Sequence, residues 1–334
     1  MISTLLWFVF IILLALLATL AIKFITLRVI LAIILYLPIS LSIVYCLLRQ
    51  PPIRGSAKVA FTGNITIGGD GGSHWGDTLR NTIEAFNKSK KEGGDFIQMD
   101  VQITLDSIGV VYANGTAVSI ANESFTIAET NWADLKRVRL MESGKIMSLE
   151  EALQWAEDNE MRMLWRLGSF NTNLIKVLSK KLADSNLHSR VAITSSNPLV
   201  VWFVRFNDPA ALTGFSWGSN HFSLTNGFPT GGIATQWFFN FADAVYHWGT
   251  RSMLLPGFMG VDLLLTSCSD VDEQLVADAA TESIQVVVSG CTNRRQLAYM
   301  RAQLSAPVLL DDVRLATMML SLIQYSVESL LCLT

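Results

Sequence analysis

Two long runs of apolar residues dominate the N-terminal pattern of the chain. They cover Leu5 to Ile22 and Val29 to Leu48, and the only charged residues between them are Lys23 and Arg28. Each run has about 18 to 20 residues, enough for a helix rising about 1.5 Å per residue to cross a hydrocarbon core of about 30 Å. The pattern therefore predicts a transmembrane anchor of one or two spans within residues 1–48. Pro38 in the second run is equally compatible with a segment lying in the membrane interface.

From residue 60 onward, short β-rich runs alternate with helical periodicity. The predicted strands are Asn64 to Ile67, Phe96 to Val101, Arg162 to Leu167, Val191 to Ser195, Leu212 to Phe215, Gly260 to Leu265, Ile284 to Val288 and Pro307 to Leu310. The predicted helices are Thr82 to Lys91, Ser148 to Asn159, Thr172 to Ser185, Pro198 to Phe206, Ser269 to Glu282 and Arg294 to Leu304. This alternation predicts an α/β fold, a TIM (β/α)8 barrel over residues 59–334 with its site at the carboxyl ends of the strands.

Two insertions interrupt the alternation. A turn after the second strand is followed by Val110 to Tyr112, which predicts an added β-hairpin. The second insertion, Ala234 to Met259, is rich in aromatic residues, and Asp243, His247 and Arg251 recur in it every four residues. A helix there would carry a polar stripe opposite an aromatic face. Packing against the barrel wall and insertion into a membrane interface are both compatible with this pattern.

Charge narrows the class of protein. Hydrophobic residues make up 51% and charged residues 16% of the chain, and the formal net charge is −3. Every charged residue before Asp70 is basic, so the rest of the chain, which includes the barrel region, carries more acidic than basic residues. A protein that binds nucleic acid would need a basic face to neutralise phosphates, so nucleic acid is excluded as a partner.

Linker, glycosylation and cysteine signals complete the domain organisation. Residues 49–58 are polar and proline-rich, which predicts a linker. Four N-x-S/T sequons are compatible with a lumenal or extracellular glycoprotein domain. They begin at Asn64, Asn87, Asn114 and Asn122. Cys268 and Cys291 follow adjacent predicted strands, so a disulfide and two free thiols both fit the sequence.

An ordered set of short motifs runs through the barrel region. They are Gly69-Asp70-Gly71-Gly72-Ser73-His74, Leu79-Arg80-Asn81-Thr82, Gln98-Met99-Asp100, Tyr112-Ala113-Asn114, Trp165-Arg166-Leu167-Gly168, Asn293 and Leu310-Asp311. In order and spacing this frame resembles the H-R-G-G, P-E-N-T, E-x-D, H-D, E-x-K, W-T-V-N and T-D motifs of the glycerophosphodiester phosphodiesterase family. With the apolar N-terminus and the aromatic insertion, the chain is similar to the membrane-anchored branch of that family.

The resemblance implies a metal-dependent phosphodiesterase of phospholipid metabolism in the endomembrane system or the plasma membrane. In the family, the E-x-D residues and the Glu of E-x-K bind a divalent cation, Mg²⁺ or Ca²⁺, and two histidines transfer protons. Position by position, the histidines become Gly69 and Ala113, and the two metal-binding glutamates become Gln98 and Arg166. Only Asp100 is retained among the metal ligands. These substitutions predict a catalytically inactive pseudoenzyme without a cofactor.

Further substitutions and two alternatives concern the pocket. Asp70 stands at the arginine of H-R-G-G, and the pocket positions implied by the resemblance are Asn81, Asn114, Gly168 and Asn293. Such a protein would bind a phospholipid-derived headgroup or a protein partner at the barrel mouth. We expect an Arg166–Asp100 ion pair at the former metal position. The alternative is an active phosphodiesterase that hydrolyses glycerophosphodiesters or lysophospholipids through a cation site rebuilt from Asp70, His74, Asp77 and Asp100.

Overall fold

The computed structural model describes residues 36–53, 55–63, 65–72, 78–139, 145–218, 221–225, 228–229 and 232–316, with a few positions among residues 14–29. Most of the first apolar run, the candidate residues His74 and Asp77, and residues 317–334 lie outside the described residues. The chain divides into two compact units, Met1–Arg49 and Gln50–Thr334. In the first unit, residues 36–48 are helical. Among the described residues, no helix is long and apolar enough to cross a bilayer.

The second unit is built on fourteen described strands. They are β1 (Ile67–Asp70), β2 (Phe96–Ile103), β3 (Gly109–Val111), β4 (Thr116–Val118), β5 (Ser124–Thr126), β6 (Met147–Ser148), β7 (Arg162–Arg166), β8 (Val191–Ser195), β9 (Leu212–Trp217), β10 (Leu224–Thr225), β11 (Phe228–Pro229), β12 (Leu263–Ser267), β13 (Gln285–Ser289) and β14 (Val308–Leu310). Eight of them pair in parallel in the order β1-β2-β7-β8-β9-β12-β13-β14, and β1 also pairs with β14. The ring is therefore closed, and the predicted TIM barrel is confirmed.

Helices connect the barrel strands. They are α1 (Ser56–Thr62), α2 (Ile83–Lys91), α3 (Trp132–Leu135), α4 (Leu149–Asp158), α5 (Thr172–Asp184), α6 (Pro198–Asn207), α7 (Ile233–Arg251), α8 (Leu254–Met259), α9 (Glu273–Thr281) and α10 (Arg294–Ala302). Side-chain caps fix several starts. Ser148 and Glu151 form the reciprocal capping box expected before α4, and Asp272 caps α9, which therefore begins four residues later than predicted. All six predicted helices are present.

The first strand lies three residues later than predicted. The Asp95 carboxylate accepts hydrogen bonds from the Thr66 backbone N–H, at 3.0 Å, and from its hydroxyl, at 2.5 Å. These contacts hold residue 66 outside the strand, which then runs from Ile67 to Asp70. The shift matters because it places Asp70 at the carboxyl end of β1, at the barrel mouth.

An apolar layer fills the lower half of the barrel. Its strand side chains come from seven strands and are Phe96, Leu164, Ala192, Leu212, Leu263, Leu265, Val287 and Leu309. Phe61 of α1 packs into the same cluster and is fully buried. The segment predicted as a linker, 49–58, is thus partly folded, because α1 begins at Ser56 and closes the amino-terminal end of the barrel. Apolar burial of this kind contributes roughly 1.5–3 kcal/mol per large side chain.

A second feature of the amino-terminal end is a buried ion cluster, called here the base cluster. It consists of Lys58, Arg205 and Asp262. The Asp262 carboxylate contacts Lys58 Nζ at 3.1 Å and pairs with Arg205 Nη2. Arg205 also donates to the Gly260 carbonyl at 2.6 Å, and the Thr213 N–H donates to Asp262 at 3.0 Å. Backbone groups therefore supply part of the hydrogen bonding of these buried charges.

Both predicted insertions are present. β3 pairs antiparallel with β2, which confirms the hairpin, and β6 extends the same sheet. β4 and β5 form a further hairpin beyond it. The aromatic insertion forms α7 and α8, and the left-handed residue Met253 separates the two helices.

The alternative left open for two cysteines is resolved in favour of a disulfide. Cys268 and Cys291 are bonded, with their Cα atoms 5.4 Å apart, directly after the paired strands β12 and β13. Cys46 is an exposed free thiol. The bond ties two neighbouring strands together at the barrel mouth.

Candidate functional site

A polar layer lies above the apolar layer, at the carboxyl ends of the strands. Side chains two residues apart on a strand share a face. Gln98 follows Phe96 on the interior face of β2, Arg166 follows Leu164 on β7, and Thr194 follows Ala192 on β8. The interior thus changes from apolar to charged and hydrogen-bonding within one layer, which makes this end the candidate site.

Four ionic side chains, called here the mouth cluster, meet in this layer. They are Asp70, Arg80, Asp100 and Arg166. Arg166 binds Asp100 through two contacts, Nε to Oδ1 at 2.5 Å and Nη2 to Oδ2 at 3.0 Å. Its Nη1 lies 3.3 Å from Asp70 Oδ1. Arg80 Nη2 lies 3.0 Å from Asp70 Oδ1 and 3.6 Å from Asp100 Oδ2.

The register of the barrel explains the central pair. Asp100 and Arg166 are partners across β2 and β7, so their side chains project from the same position of the interior face. Two guanidinium groups then balance two carboxylates, and the bidentate geometry suits the planar fork of arginine. The expected Arg166–Asp100 ion pair is present in the structure.

Amide side chains complete the cluster. Asn81 Nδ2 donates to Asp100 Oδ2 at 2.8 Å, and the Asp100 N–H donates to Asn81 Oδ1 at 3.1 Å. Asn81 adopts a left-handed backbone conformation, with φ 61°, which asparagine tolerates better than most residues. Gln98 Nε2 donates to Asp70 Oδ1 at 3.1 Å.

The electrostatics of the cluster keep Asp100 ionised. Burial by itself raises the pKa of the Asp100 carboxyl. Hydrogen bonds from Arg166 and Asn81 and the positive charges of Arg166 and Arg80 lower the pKa by a larger amount, so that it lies below its ordinary value. Burial lowers the pKa of Arg166, whereas its bonds to Asp100 and Asp70 raise it above the ordinary value. The pair is therefore a fixed cation and a fixed anion near neutral pH.

A cavity of about 540 Å³ opens beside the mouth cluster. Its lining includes Asp100, Arg166, Ala113, Gly168 and Ser216. In the polar layer of the barrel, but outside the cavity lining, Gln98 Oε1 and Thr194 Oγ1 are buried and have no hydrogen-bond partner among the described residues. A cavity of this size accommodates a small organic molecule, and its floor offers both charge and hydrogen-bonding capacity.

The other candidate positions are distributed differently. A side chain at Gly69 would have its Cβ 2.7 Å from the backbone of Gly72 and from Ser89 Oγ, so this position is closed to any larger residue. Asn114 is exposed, and its carbonyl accepts a hydrogen bond from Gln102. Asn293 caps α10 by accepting from the Arg295 N–H at 2.9 Å and does not line the cavity. Its predicted place in the pocket is corrected accordingly.

Arg80 is the residue of the mouth cluster that sequence reasoning did not single out. It lies in the loop before α2, and its contacts with Asp70 and Asp100 depend on the course of that loop. The only available signal was its position next to Asn81 in the motif that resembles P-E-N-T.

Comparison with known proteins defines the class. The model of the glycerophosphoryl diester phosphodiesterase family matches residues 69–315. A glycerophosphodiester phosphodiesterase from Parabacteroides distasonis has a similar structure, with a TM-score of 0.56 at 16% identity over 74% of this chain and 93% of that one. For the Thermotoga maritima glycerophosphodiester phosphodiesterase the TM-score is 0.55, at 15% identity over 76% and 98%.

A third neighbour carries a ligand. A phosphodiesterase from Oleispira antarctica, solved in complex with the product sn-glycerol-3-phosphate, gives a TM-score of 0.57 at 16% identity over 78% of this chain and 99% of that one. Fold and site thus define a TIM-barrel protein with its site at the carboxyl ends of the strands. The chain belongs to the glycerophosphoryl diester phosphodiesterase family.

Enzymes of this family are typically dependent on a divalent metal, and the described residues around Asp100 do not fit one. The Arg166 guanidinium binds both oxygens of Asp100, the carboxylate that the family resemblance places at the metal position. A cation placed there would be repelled by Arg166 and Arg80. Within the described part of the chain, no group of three or more His, Cys, Asp or Glu side chains is arranged to hold a metal ion.

Proposed function

We propose that this protein is a membrane-anchored member of the family that has lost hydrolysis and binds a phosphate-bearing headgroup derived from a phospholipid. The observation that carries the proposal is the bidentate Arg166–Asp100 pair beside an open cavity. The pair replaces a metal-binding arrangement by a protein-borne cation.

Loss of hydrolysis follows from the side chains at the proton-transfer positions. Ala113 has no group that carries a proton, and Gly69 faces a space too small for one. Each general acid or base normally contributes about 10²–10⁴-fold to the rate. Because Arg166 also fills the proposed metal position, these residues provide no effective means of hydrolysing a phosphodiester bond.

Headgroup binding follows from what remains in the cavity. The Arg166 side chain is about 30% exposed, so part of its guanidinium is open to an anionic ligand while the rest binds Asp100. Arginine binds phosphate oxygens through paired hydrogen bonds. Ser169 and Ser216 line the same cavity and carry hydroxyl groups suited to hydrogen-bonding the hydroxyls of a glycerol or polyol headgroup.

Membrane anchoring has its own support. In the helical segment 36–48 nearly every residue is exposed, and its apolar side chains point in all directions around the helix. A helix that is apolar all round is suited to a lipid environment. The Cys268–Cys291 disulfide and the exposed sequon residues Asn114 and Asn122 favour a lumenal or extracellular barrel, because disulfides persist in oxidising compartments.

The test uses the full-length protein in lipid nanodiscs. Calorimetric titration with sn-glycerol-3-phosphate and glycerophosphoinositol is expected to show binding, and a hydrolysis assay with Mg²⁺, Ca²⁺ or Mn²⁺ is expected to show no turnover. Gly168→Phe should abolish binding, because this residue lines the cavity and has open space around its Cβ position. Gly232→Phe, at another open position outside the cavity, is the matched control.

Two results would overturn the proposal. Turnover that disappears in Asp100→Asn would show a working enzyme with a rearranged site. Equal binding by the wild type and Gly168→Phe would show that the cavity is not the ligand site.

A further inference from the structure

Helix α7 is oriented opposite to an ordinary surface helix. Its polar stripe faces the barrel, where Asp243 is buried and His247 is partly buried. Its apolar stripe faces outward, with exposed fractions of 74% for Trp237, 57% for Phe241 and 63% for Trp248. Surface helices normally bury the apolar stripe and expose the polar one.

Specific contacts fix this orientation. The two Asp243 carboxylate oxygens accept hydrogen bonds from the backbone N–H groups of Phe222 and Ser223, at 2.8 and 2.9 Å. The Tyr246 ring packs edge-on against Phe215, and its hydroxyl donates to the Ser196 carbonyl at 3.2 Å. Rotating the helix to bury its aromatic stripe would break these contacts, so the outward face is part of the fold.

The outward face is broad and uncharged. It consists of Trp237, Phe238, Phe241, Val245 and Trp248, and we call it the aromatic face. From Trp237 to Trp248 it extends for about 17 Å along the helix. The charged residues of α7 are Asp243 and Arg251, and Arg251 is paired with Asp272. Contiguous exposed apolar surface of this kind marks a site of contact with another molecule or a membrane.

The entry of the chain into the barrel unit indicates what lies against this face. Gln50 is the first residue of the unit, and its N–H donates to the Phe258 carbonyl of α8 at 2.8 Å. The Gln50 and Pro51 carbonyls also pack against Gly260, where a Cβ would come within 3 Å of both. The chain therefore enters the unit beside α8, the helix that follows α7 in the sequence. The residues before Gln50 are those of the predicted membrane anchor.

We infer that the aromatic face of α7 lies in the interface of the bilayer that holds the anchor, as a second membrane contact of the barrel unit. The inference rests on the membrane-anchoring part of the proposed function. Tryptophan and phenylalanine suit this position because the headgroup region accommodates amphipathic and aromatic rings. Because the aromatic face carries no positive charge, we expect it to bind a zwitterionic phospholipid surface without requiring anionic lipid.

The experiment uses the full-length chain in phosphatidylcholine vesicles. In a Cys46→Ser/Cys332→Ser background, Phe241→Cys or Lys91→Cys provides one site for an environment-sensitive fluorophore, since the remaining two cysteines, Cys268 and Cys291, form the disulfide. Lys91 is exposed on α2, which connects β1 to β2 on the far side of the barrel from α7. Flotation after a carbonate wash first measures anchoring independently of the probe.

Nitroxide-labelled lipids are expected to quench the probe at position 241 at least about threefold more than the probe at position 91. Equal, weak quenching at both positions in protein that floats would overturn the inference while the anchor stands. Disulfide-linked dimers of unlabelled Phe241→Cys in place of quenching would also overturn it and would assign the face to a second copy. Protein that does not float would remove the anchor and the inference together.

Discussion

The barrel holds an ion cluster at each end, and the two clusters are built differently. The base cluster is sealed: Arg205 and Asp262 have no exposed surface, and their other hydrogen bonds join them to backbone groups and to the Thr213 hydroxyl. The mouth cluster is open: the Arg166 and Arg80 side chains are about one-third exposed, and their partners are other side chains beside a cavity. Similar charges therefore serve structure at one end and remain available to a ligand at the other.

The difference shows how a barrel separates stability from function. Contacts at the amino-terminal face of a TIM barrel hold the fold, whereas side chains at the carboxyl ends of the strands vary with function. Water can reach the charges of the mouth cluster when one partner is removed, but it cannot reach those of the base cluster without unfolding. Removing one partner should therefore cost more at the base than at the mouth.

The largest effect is expected for Arg205→Met. The substitution leaves the Asp262 carboxylate fully buried with Lys58 as its remaining ionic partner, and the free energy of unfolding should fall by about 3–5 kcal/mol. Chemical denaturation monitored by circular dichroism measures the loss. Arg314→Met, which removes a more exposed arginine paired with Asp312 and Glu92, is the control and should cost much less than Arg205→Met, because solvent screens exposed ion pairs.

Arg166→Met should have a smaller effect, a loss of about 1–3 kcal/mol in the same measurement. Asp100 keeps its hydrogen bonds with Asn81 and its contact with Arg80, and water can enter from the cavity. A loss equal to that of Arg205→Met would contradict the proposed difference between the two ends.

Restoring carboxylates should convert the mouth cluster into a cation site. In Gln98→Glu/Arg166→Glu, the two introduced carboxylates and Asp100 meet at the position that the family resemblance assigns to a metal. At a cation concentration about 10 to 100 times the dissociation constant, Ca²⁺ or Mg²⁺ should raise the free energy of unfolding by about 1.4–2.7 kcal/mol. The wild type is the control, and a cation-dependent stabilisation of equal size there would contradict the assignment of Arg166 to the metal position.

The smallest effect is expected on the free energy of unfolding at acidic pH. Because the pKa of Asp100 is lowered by folding, its contribution is present above the ordinary value of 3.8 and is lost as the pH falls through the lower folded value. Asp100→Asn should therefore flatten the decline of unfolding free energy below about pH 5. An unchanged slope in Asp100→Asn would show that Asp100 is not the titrating group.

The sequence predicted the parts of the molecule that depend on local pattern. All eight barrel strands followed from alternation of apolar runs, and the capping box at Ser148 followed from four consecutive residues. The Arg166–Asp100 pair was also predictable, because the resemblance assigned both positions to one metal site on adjacent strands. These features can be predicted from neighbouring residues in the chain or in the sheet, and they do not depend on the conformation of a loop.

Features that depend on loops and long-range packing escaped prediction. Lys58 was assigned to a linker because its ionic partner, Asp262, lies more than two hundred residues away in sequence. Arg80 reaches the mouth cluster only through the turn that precedes α2. The outward orientation of α7 could not be decided either, since hydrophobic periodicity gives the stripe of a helix but not the direction in which it faces.

Asn81 has a consequence for how such a site changes over evolutionary time. Its amide holds both the backbone and the carboxylate of Asp100, so the position of this strand end does not depend on which ion neutralises the charge. The neighbouring charged residues are then open to replacement one by one, each step passing through a folded intermediate sequence. Asn81 itself, bound at two points in a left-handed conformation, is the least replaceable residue of the mouth.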